Sequence, residues 1–156
     1  MKAYLAGAIE HAPDNGKGWR REITHLLKAQ LGHTVYDPTV EEHQILDTGE
    51  SDGFRDLKSA DPERFKQTVR KLIDHDLQVL TSESDYVICL WDEYVKHGAG
   101  TQGEVTVAYH NEIPIYLVSD LPEYQISGWI LGCSSAYFTT FDELVDFLAE
   151  KYPRKG

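Results

Sequence analysis

The sequence predicts an α/β fold: a three-layer α/β/α sandwich around a five-stranded, mostly parallel sheet of flavodoxin-like or Rossmann-like type. Short apolar runs alternate along the chain with amphipathic stretches of helical period. The run from Asp85 to Trp91 is apolar almost throughout instead of alternating, as a strand covered on both faces must be. Helical stretches separate most of the strands, the order that a parallel sheet with crossover helices requires.

Each element has its own reason. Lys2 to Ala6 is a short apolar run halted by Gly7, and reads as a buried strand. From about Asn15 to Gln30, Trp19, Ile23, Leu26 and Leu27 recur at helical spacing, and Gly32 closes the helix. His33 to Tyr36 is a second strand, stopped by Asp37-Pro38. Residues 39–60 are polar and carry Gly49, Gly53 and a cluster of acids, so they read as a long loop with the role of a lid or substrate loop. Asp61-Pro62 opens the longest helix, with Asp61 as its N-cap, running to about Thr81. After the central strand, a glycine-rich turn from Gly98 to Gly103 leads into a helix through about Asn111. Ile113 to Val118 and Ala136 to Phe138 are the last two strands, followed by a helix from about Phe141 to Lys151. The 156 residues fit one domain, 1–156.

Composition narrows the function. Fifteen basic and 26 acidic side chains give a net charge of −11, and 41% of residues are hydrophobic. The acidic balance argues against a general nucleic-acid binder and against docking on anionic membranes. Cys89 and Cys133 have no CxxC neighbour and read as reduced structural thiols in a cytoplasmic protein. The apolar N-terminal stretch is too short for a signal peptide or a membrane span.

Two carboxylates stand out. On the longest helix Phe65, Val69, Leu72, Ile73, Leu77 and Leu80 form an apolar stripe, and Asp76 falls on it. Burial raises the pKa of such an acid and suits it to proton donation near neutral pH. A structural acid paired with a buried cation would give the same pattern. The second is Glu104 in Gly98-Ala99-Gly100-Thr101-Gln102-Gly103-Glu104. Thr101-x-x-Glu104 is a ready capping box, which alone would explain the pair. The glycines add room for a ligand at a helix N-terminus, where a carboxylate is expected to stay ionised. One protonated and one ionised carboxylate would divide acid and nucleophile roles.

These residues, with Tyr4-Leu5-Ala6-Gly7-Ala8-Ile9, His75-Asp76-Leu77, Ser84-Asp85-Tyr86-Val87-Ile88 and Ser127-Gly128-Trp129-Ile130, resemble in order the signature of the nucleoside 2-deoxyribosyltransferase superfamily. Members cleave the N-glycosidic bond of nucleosides or nucleoside 5′-monophosphates. The resemblance implies that Glu104 is the nucleophile, that Asp76 is the acid at the leaving base, and that Tyr4 positions the nucleophile. It implies substrate contacts at Gly7, Ala8, Asp92, Gly98, Gly100 and Thr101. It also implies a homodimer or higher homo-oligomer in which Ser127, beside Trp129, reaches a neighbouring subunit's site. The partners it implies are a small nucleoside or nucleotide and a free nucleobase acceptor, with no nucleic-acid polymer and no membrane. No step needs a metal or another cofactor, and His11, His97 and His110 show no metal spacing.

Departures from the family pattern bear on substrate choice. Ala8 and Glu10 stand where phosphate-binding members carry small hydroxyl and basic residues, and Gly98 stands where a serine is expected. Glu10 would repel a phosphate, so a free (deoxy)nucleoside is preferred. Ser127, Arg20, Arg21 and Arg55 could compensate, although Arg20 and Arg21 read first as solvated helix charges. Among the aromatics, Trp19 lies on the apolar stripe of the first helix and reads as core; Trp91, Tyr94 and Trp129 are candidates for stacking on a base. Competing readings are a cytokinin-activating phosphoribohydrolase, an NAD glycohydrolase and a nucleotide-sensing module without turnover. The first lacks its Pro-Gly-Gly here, since Lys96-His97-Gly98 precedes the turn. A sensor would not require both carboxylates.

Overall fold

Strand β1 (Lys2–Ala6) lies inside the sheet because it has a neighbour on each side and a helical layer on each face. In this computed structural model, which describes residues 1–46 and 53–153, it pairs with β2 (Thr34–Tyr36) and β3 (Tyr86–Leu90). Strands β4 (Ile115–Val118) and β5 (Ala136–Phe138) extend the sheet to the order β2-β1-β3-β4-β5. Every pairing is parallel. The expected "mostly parallel" sheet is thus wholly parallel. The reason is a short helix between β4 and β5 that the sequence reading left out, Gly128–Cys133, which supplies the crossover.

Alternate residues along the strands feed two cores. One face carries Tyr4, Ala6, Tyr36, Val87, Cys89, Ile115 and Leu117. The other carries Ala3, Leu5, Tyr86, Ile88, Tyr116 and Val118. Helix α1 (Lys17–Leu26) covers the second face with Ile23 and runs on as one π-helical turn, Leu27–Leu31, which adds Leu27 and Leu31. Gly32 ends it at φ 68°, a left-handed conformation that favours glycine.

The segment expected to be a long loop is partly helical. Asp37-Pro38 is a helix start as well as a strand stop: Asp37 Oδ1 accepts from the Thr39 N–H at 2.9 Å and opens α2 (Pro38–Ile45). A 3₁₀ turn, Phe54–Asp56, and α3 (Leu57–Ala60) follow. Leu46 and Phe54 are buried, Phe54 stacks on Phe65 at 6.2 Å, and Arg55 grips Glu42 with bonds of 3.1 and 2.7 Å. Weak apolar periodicity hid these helices from the sequence. Gly49, one of the residues behind the loop assignment, lies outside the described residues.

Helix α4 (Pro62–Glu83) starts where expected, with Asp61 Oδ1 accepting from the Arg64 N–H at 3.1 Å. Its stripe is rotated from the expected one: Thr68, Val79 and Leu80 are buried, whereas Ile73 is 47% exposed. Helix α5 (Gly100–His110) begins earlier than a Thr101 cap would allow. Its N-cap is Ala99 with no side-chain bond, so Thr101-x-x-Glu104 is not a capping box here. Another T-x-x-E in the chain, Thr140 to Glu143, does cap. Thr140 Oγ1 accepts from the Glu143 N–H at 3.2 Å at the start of α7 (Phe141–Lys151). Helix α6 is Gly128–Cys133. Thus α1 and α7 cover one face, and α4, α5 and α6 cover the other. Among the described residues no helix is long and apolar enough to cross a membrane.

The strand order reverses direction between β1 and β3, because β2 lies on the far side of β1. In open parallel sheets that switch point leaves a crevice beyond the carboxyl ends of the two strands. The loops there run from Gly7 to Gly16 and from Trp91 to Ala99.

Candidate active site

Register brings the first pair of functional side chains together. Tyr4 and Tyr36 are direct partners across β1 and β2, so both point to the face covered by α4 and α5. Their rings stack with centroids 5.3 Å apart. Each hydroxyl then donates to a different carboxylate. Tyr4 donates to Glu104 Oε1 at 2.6 Å, and Tyr36 donates to Asp76 Oδ1 at 2.6 Å. Two carboxylates from two helices are therefore held by two tyrosines from two adjacent strands. Tyr36 is a site residue that sequence reasoning missed. The available signal was its place two residues on from Thr34, on the same face as Tyr4 once the strands pair.

Electrostatics here differ from the expectation in one respect. Asp76 is raised, chiefly by burial, against the lowering effects of the Tyr36 hydroxyl and of His75. Glu104, expected to stay ionised, is raised further, to about 7. Burial is the main cause and the Asp76 charge adds to it; the Tyr4 hydroxyl and Arg20 act the other way. Glu104 is the fifth residue of α5. It therefore lies past the first turn, where the helix dipole falls off, and the dipole does not outweigh desolvation.

The first loop is organised by a residue the sequence reading placed in solvent. Arg20 is fully buried. Its guanidinium donates to the carbonyls of Gly7 at 2.9 Å, Gly16 at 2.9 Å and Ala8 at 3.3 Å, and Nε lies 3.6 Å from Asp37 Oδ1. The stripe that buries Ile23 also carries Arg20, three residues before it, toward the loop; Arg21 is exposed. Gly7 is packed tightly, since a Cβ there would come within 2.8 Å of Trp19 Cζ2. Trp19 itself stacks on Phe141 at 5.9 Å, a core role as read.

The remaining candidates are distributed around this centre. Thr101 is buried in the first turn of α5. Gly100 faces open space, where a Cβ would meet nothing within 4 Å, and a Cβ on Gly98 would approach only His11 Cδ2, at 3.9 Å. Internal packing thus does not require either glycine. Asp92 Oδ1 accepts from the N–H groups of Tyr94 at 3.0 Å and Val95 at 3.1 Å, and burial raises its carboxyl. It lines a depression of about 540 Å³ with Tyr94, Asp120, Thr140 and Phe141, at the carboxyl ends of β3 and β4. Ser127 and Trp129 line a smaller one of about 260 Å³, with Trp91, Lys96, Gln102 and Ile130. Neither depression is lined by Glu104 or Asp76. Trp91 is nearly buried in the core, whereas Trp129 is 68% exposed and donates from Nε1 to Thr106 Oγ1 at 3.0 Å.

No protein-family model matches the sequence, and no curated protein matches it. The fold has a solved counterpart. A 2-deoxyribosyltransferase from the psychrotolerant bacterium Bacillus psychrosaccharolyticus superposes with a TM-score of 0.71 at 20% identity, over 99% of this chain and 98% of that one. That protein is described as a biocatalyst for the synthesis of antiviral and antitumoral nucleosides. At this identity the likeness establishes the fold, and it is the fold of the superfamily that the sequence motifs resemble.

Proposed function

We propose that this protein cleaves the N-glycosidic bond of a (deoxy)nucleoside, passing the sugar to a second base or to water. The observation that carries the reading is the pairing of Glu104 with Tyr4 and of Asp76 with Tyr36 on one face of the sheet. In this reading the lengthening C–N bond places positive charge on the sugar ring, and Glu104 as carboxylate attacks the anomeric carbon. The Tyr4 hydroxyl holds one oxygen, leaving the other to form the ester. Asp76, whose carboxyl burial raises, gives a proton or hydrogen bond to the departing base while Tyr36 fixes its other oxygen. An incoming base or water then breaks the ester and restores Glu104. Since Glu104 titrates near 7, base release should rise with pH through neutrality as the nucleophilic carboxylate forms.

Two observations favour a nucleoside 5′-monophosphate as the second reading. Glu10, the residue read as repelling phosphate, has Lys58 Nζ at 3.5 Å. The rings of His11 and His97 lie 5.9 Å apart next to Gly98. Ser127 and Trp129 enter the proposal as residues offered to a neighbouring copy in a homodimer or larger homo-oligomer.

The test is incubation with a panel of nucleosides and their 5′-monophosphates, with and without a second free base. Released base marks cleavage, exchanged base marks transfer, and the Glu104→Ala protein should give neither. Unchanged release from Glu104→Ala would overturn the mechanism.

A further inference from the structure

We propose that Arg20 is a positioning residue for this site: one buried guanidinium closes the first loop through three main-chain carbonyls and sets a fixed positive charge within electrostatic reach of Glu104. The inference extends the proposed function and rests on it for Glu104's role. The geometry stands by itself. Arg20 reaches from α1, on the opposite side of the sheet from α5, to the end of β1. It ties Gly7 and Ala8, at the start of the loop, to Gly16 at its end. Gly16 sits at φ 69°, and a Cβ there would overlap both Arg20 Nη1 and the Ala8 carbonyl oxygen, so the loop closes tightly around this side chain. Through Asp37, which caps α2, the same guanidinium also adjoins the segment that follows β2.

A purely structural role explains this poorly. Among the described residues Arg20 Nε is buried without a hydrogen-bond partner, and Asp37 Oδ1 is already engaged by the N–H and hydroxyl of Thr39. A neutral donor could serve the loop carbonyls without burying a charge, whose desolvation is costly. The charge is what a neutral donor would not supply. Glu104 bonds to Tyr4 from β1, and the other groups that act on it electrostatically are Arg20 from α1, Asp76 from α4, Tyr36 from β2 and Cys89 from β3. Of these, only Arg20 is cationic, and it opposes the burial that disfavours the carboxylate.

The experiment titrates the Glu104 carboxyl by carbon-13 NMR, assigned with Glu104→Gln, in the wild type, Arg20→Gln and Arg20→Lys. It requires no turnover, so a protein that released no base would refute the proposed function while still reporting on Arg20. Arg20→Gln should raise the Glu104 midpoint by about one pH unit. Arg20→Lys keeps the charge but not the fork, so the midpoint should stay near the wild type. In the same variant the Ala12 and Asn15 amides, which bond to the Ile9 and Ala12 carbonyls inside the loop, should exchange faster. A folded Arg20→Gln protein with an unchanged Glu104 midpoint would overturn the proposal. If Arg20→Gln does not fold, Arg20→Lys decides: wild-type loop exchange together with wild-type base release would equally overturn it.

Discussion

Replacing Glu104 with glutamine should abolish base release and at the same time stabilise the protein, increasingly so as pH rises above 4.5. Burial raises this carboxyl from an ordinary 4.5 to about 7. Each tenfold change in proton affinity corresponds to about 1.4 kcal/mol, so holding Glu104 ionised in the folded state costs at most about 3 kcal/mol. Water reaching the ionised group lowers that figure. The sign follows from proton binding. The folded protein holds the Glu104 proton more tightly than the unfolded chain, so stability is greatest below 4.5 and is lost as pH rises through 7. Glutamine is close in shape, can still accept from Tyr4 and carries no such titration. Glu104→Gln should therefore match the wild type at pH about 4.5 and exceed it at pH about 8.5 by up to about 3 kcal/mol, or roughly 6–12 °C in melting temperature. Urea or thermal melts of both proteins at the two pH values supply the measurement. An equal gap at both, or a variant less stable at the higher pH, would refute the buried-carboxylate reading.

Three more outcomes follow from particular contacts. Tyr36→Phe removes the donor to Asp76 Oδ1 and should raise the Asp76 midpoint further and cost about 1–2 kcal/mol, read by NMR titration and urea unfolding. An unmoved Asp76 would mean that the hydroxyl does not govern it. Gly16→Ala forces an L side chain to φ 69° against Arg20 and Ala8, so it should lose at least about 1–2 kcal/mol and expose the first loop to limited proteolysis. Gly132→Ala, where a Cβ meets nothing within 4 Å, is the matched control and should lose nothing. His33 is buried, with Nδ1 2.9 Å from the Tyr86 hydroxyl, and burial lowers its pKa below 6.5. The unfolded chain therefore takes up this proton first, and stability falls as pH drops below about 6.5. His33→Leu should flatten that slope, and a variant with the wild-type pH dependence between 5 and 7 would refute the assignment.

How far the sequence revealed the molecule depended on the kind of signal. Five strands and the helices at 62 and 141 were legible because their apolar runs or Asp-Pro start signals are local. Residues 38–45 carried the same Asp-Pro signal, yet little apolar periodicity followed it, and the helix went unread. The α6 crossover is six residues long, too short for a periodic pattern. At the site, the motif resemblance singled out Tyr4 and Glu104, 100 positions apart, and folding puts them in hydrogen-bond contact. Tyr36 and Arg20 were missed for a different reason. Their importance lies in pairing across strands and in reaching past the end of a strand, and neither leaves a local trace. Charge misled most: an arginine beside a tryptophan on a helix looks solvated until the loop above it is seen to close over it.

The upward shift at Glu104 also changes how the two carboxylates are to be compared. The sequence suggested a division into one ionised and one protonated acid. The structure raises both, so the two cannot be ionised together without mutual repulsion added to desolvation. Under the proposed function this is an advantage in the transition state. A carboxylate held ionised in a desolvated place is poorly stabilised until positive charge appears before it. The sugar acquires that charge only as the base departs. The unfavourable energy of the ionised Glu104 is then relieved in the transition state and not in the bound substrate, which is the differential that accelerates a reaction. The helix dipole, worth about 0.3–1 kcal/mol at best for an exposed group, could not have produced an equal differential, because it acts alike before and after the bond breaks.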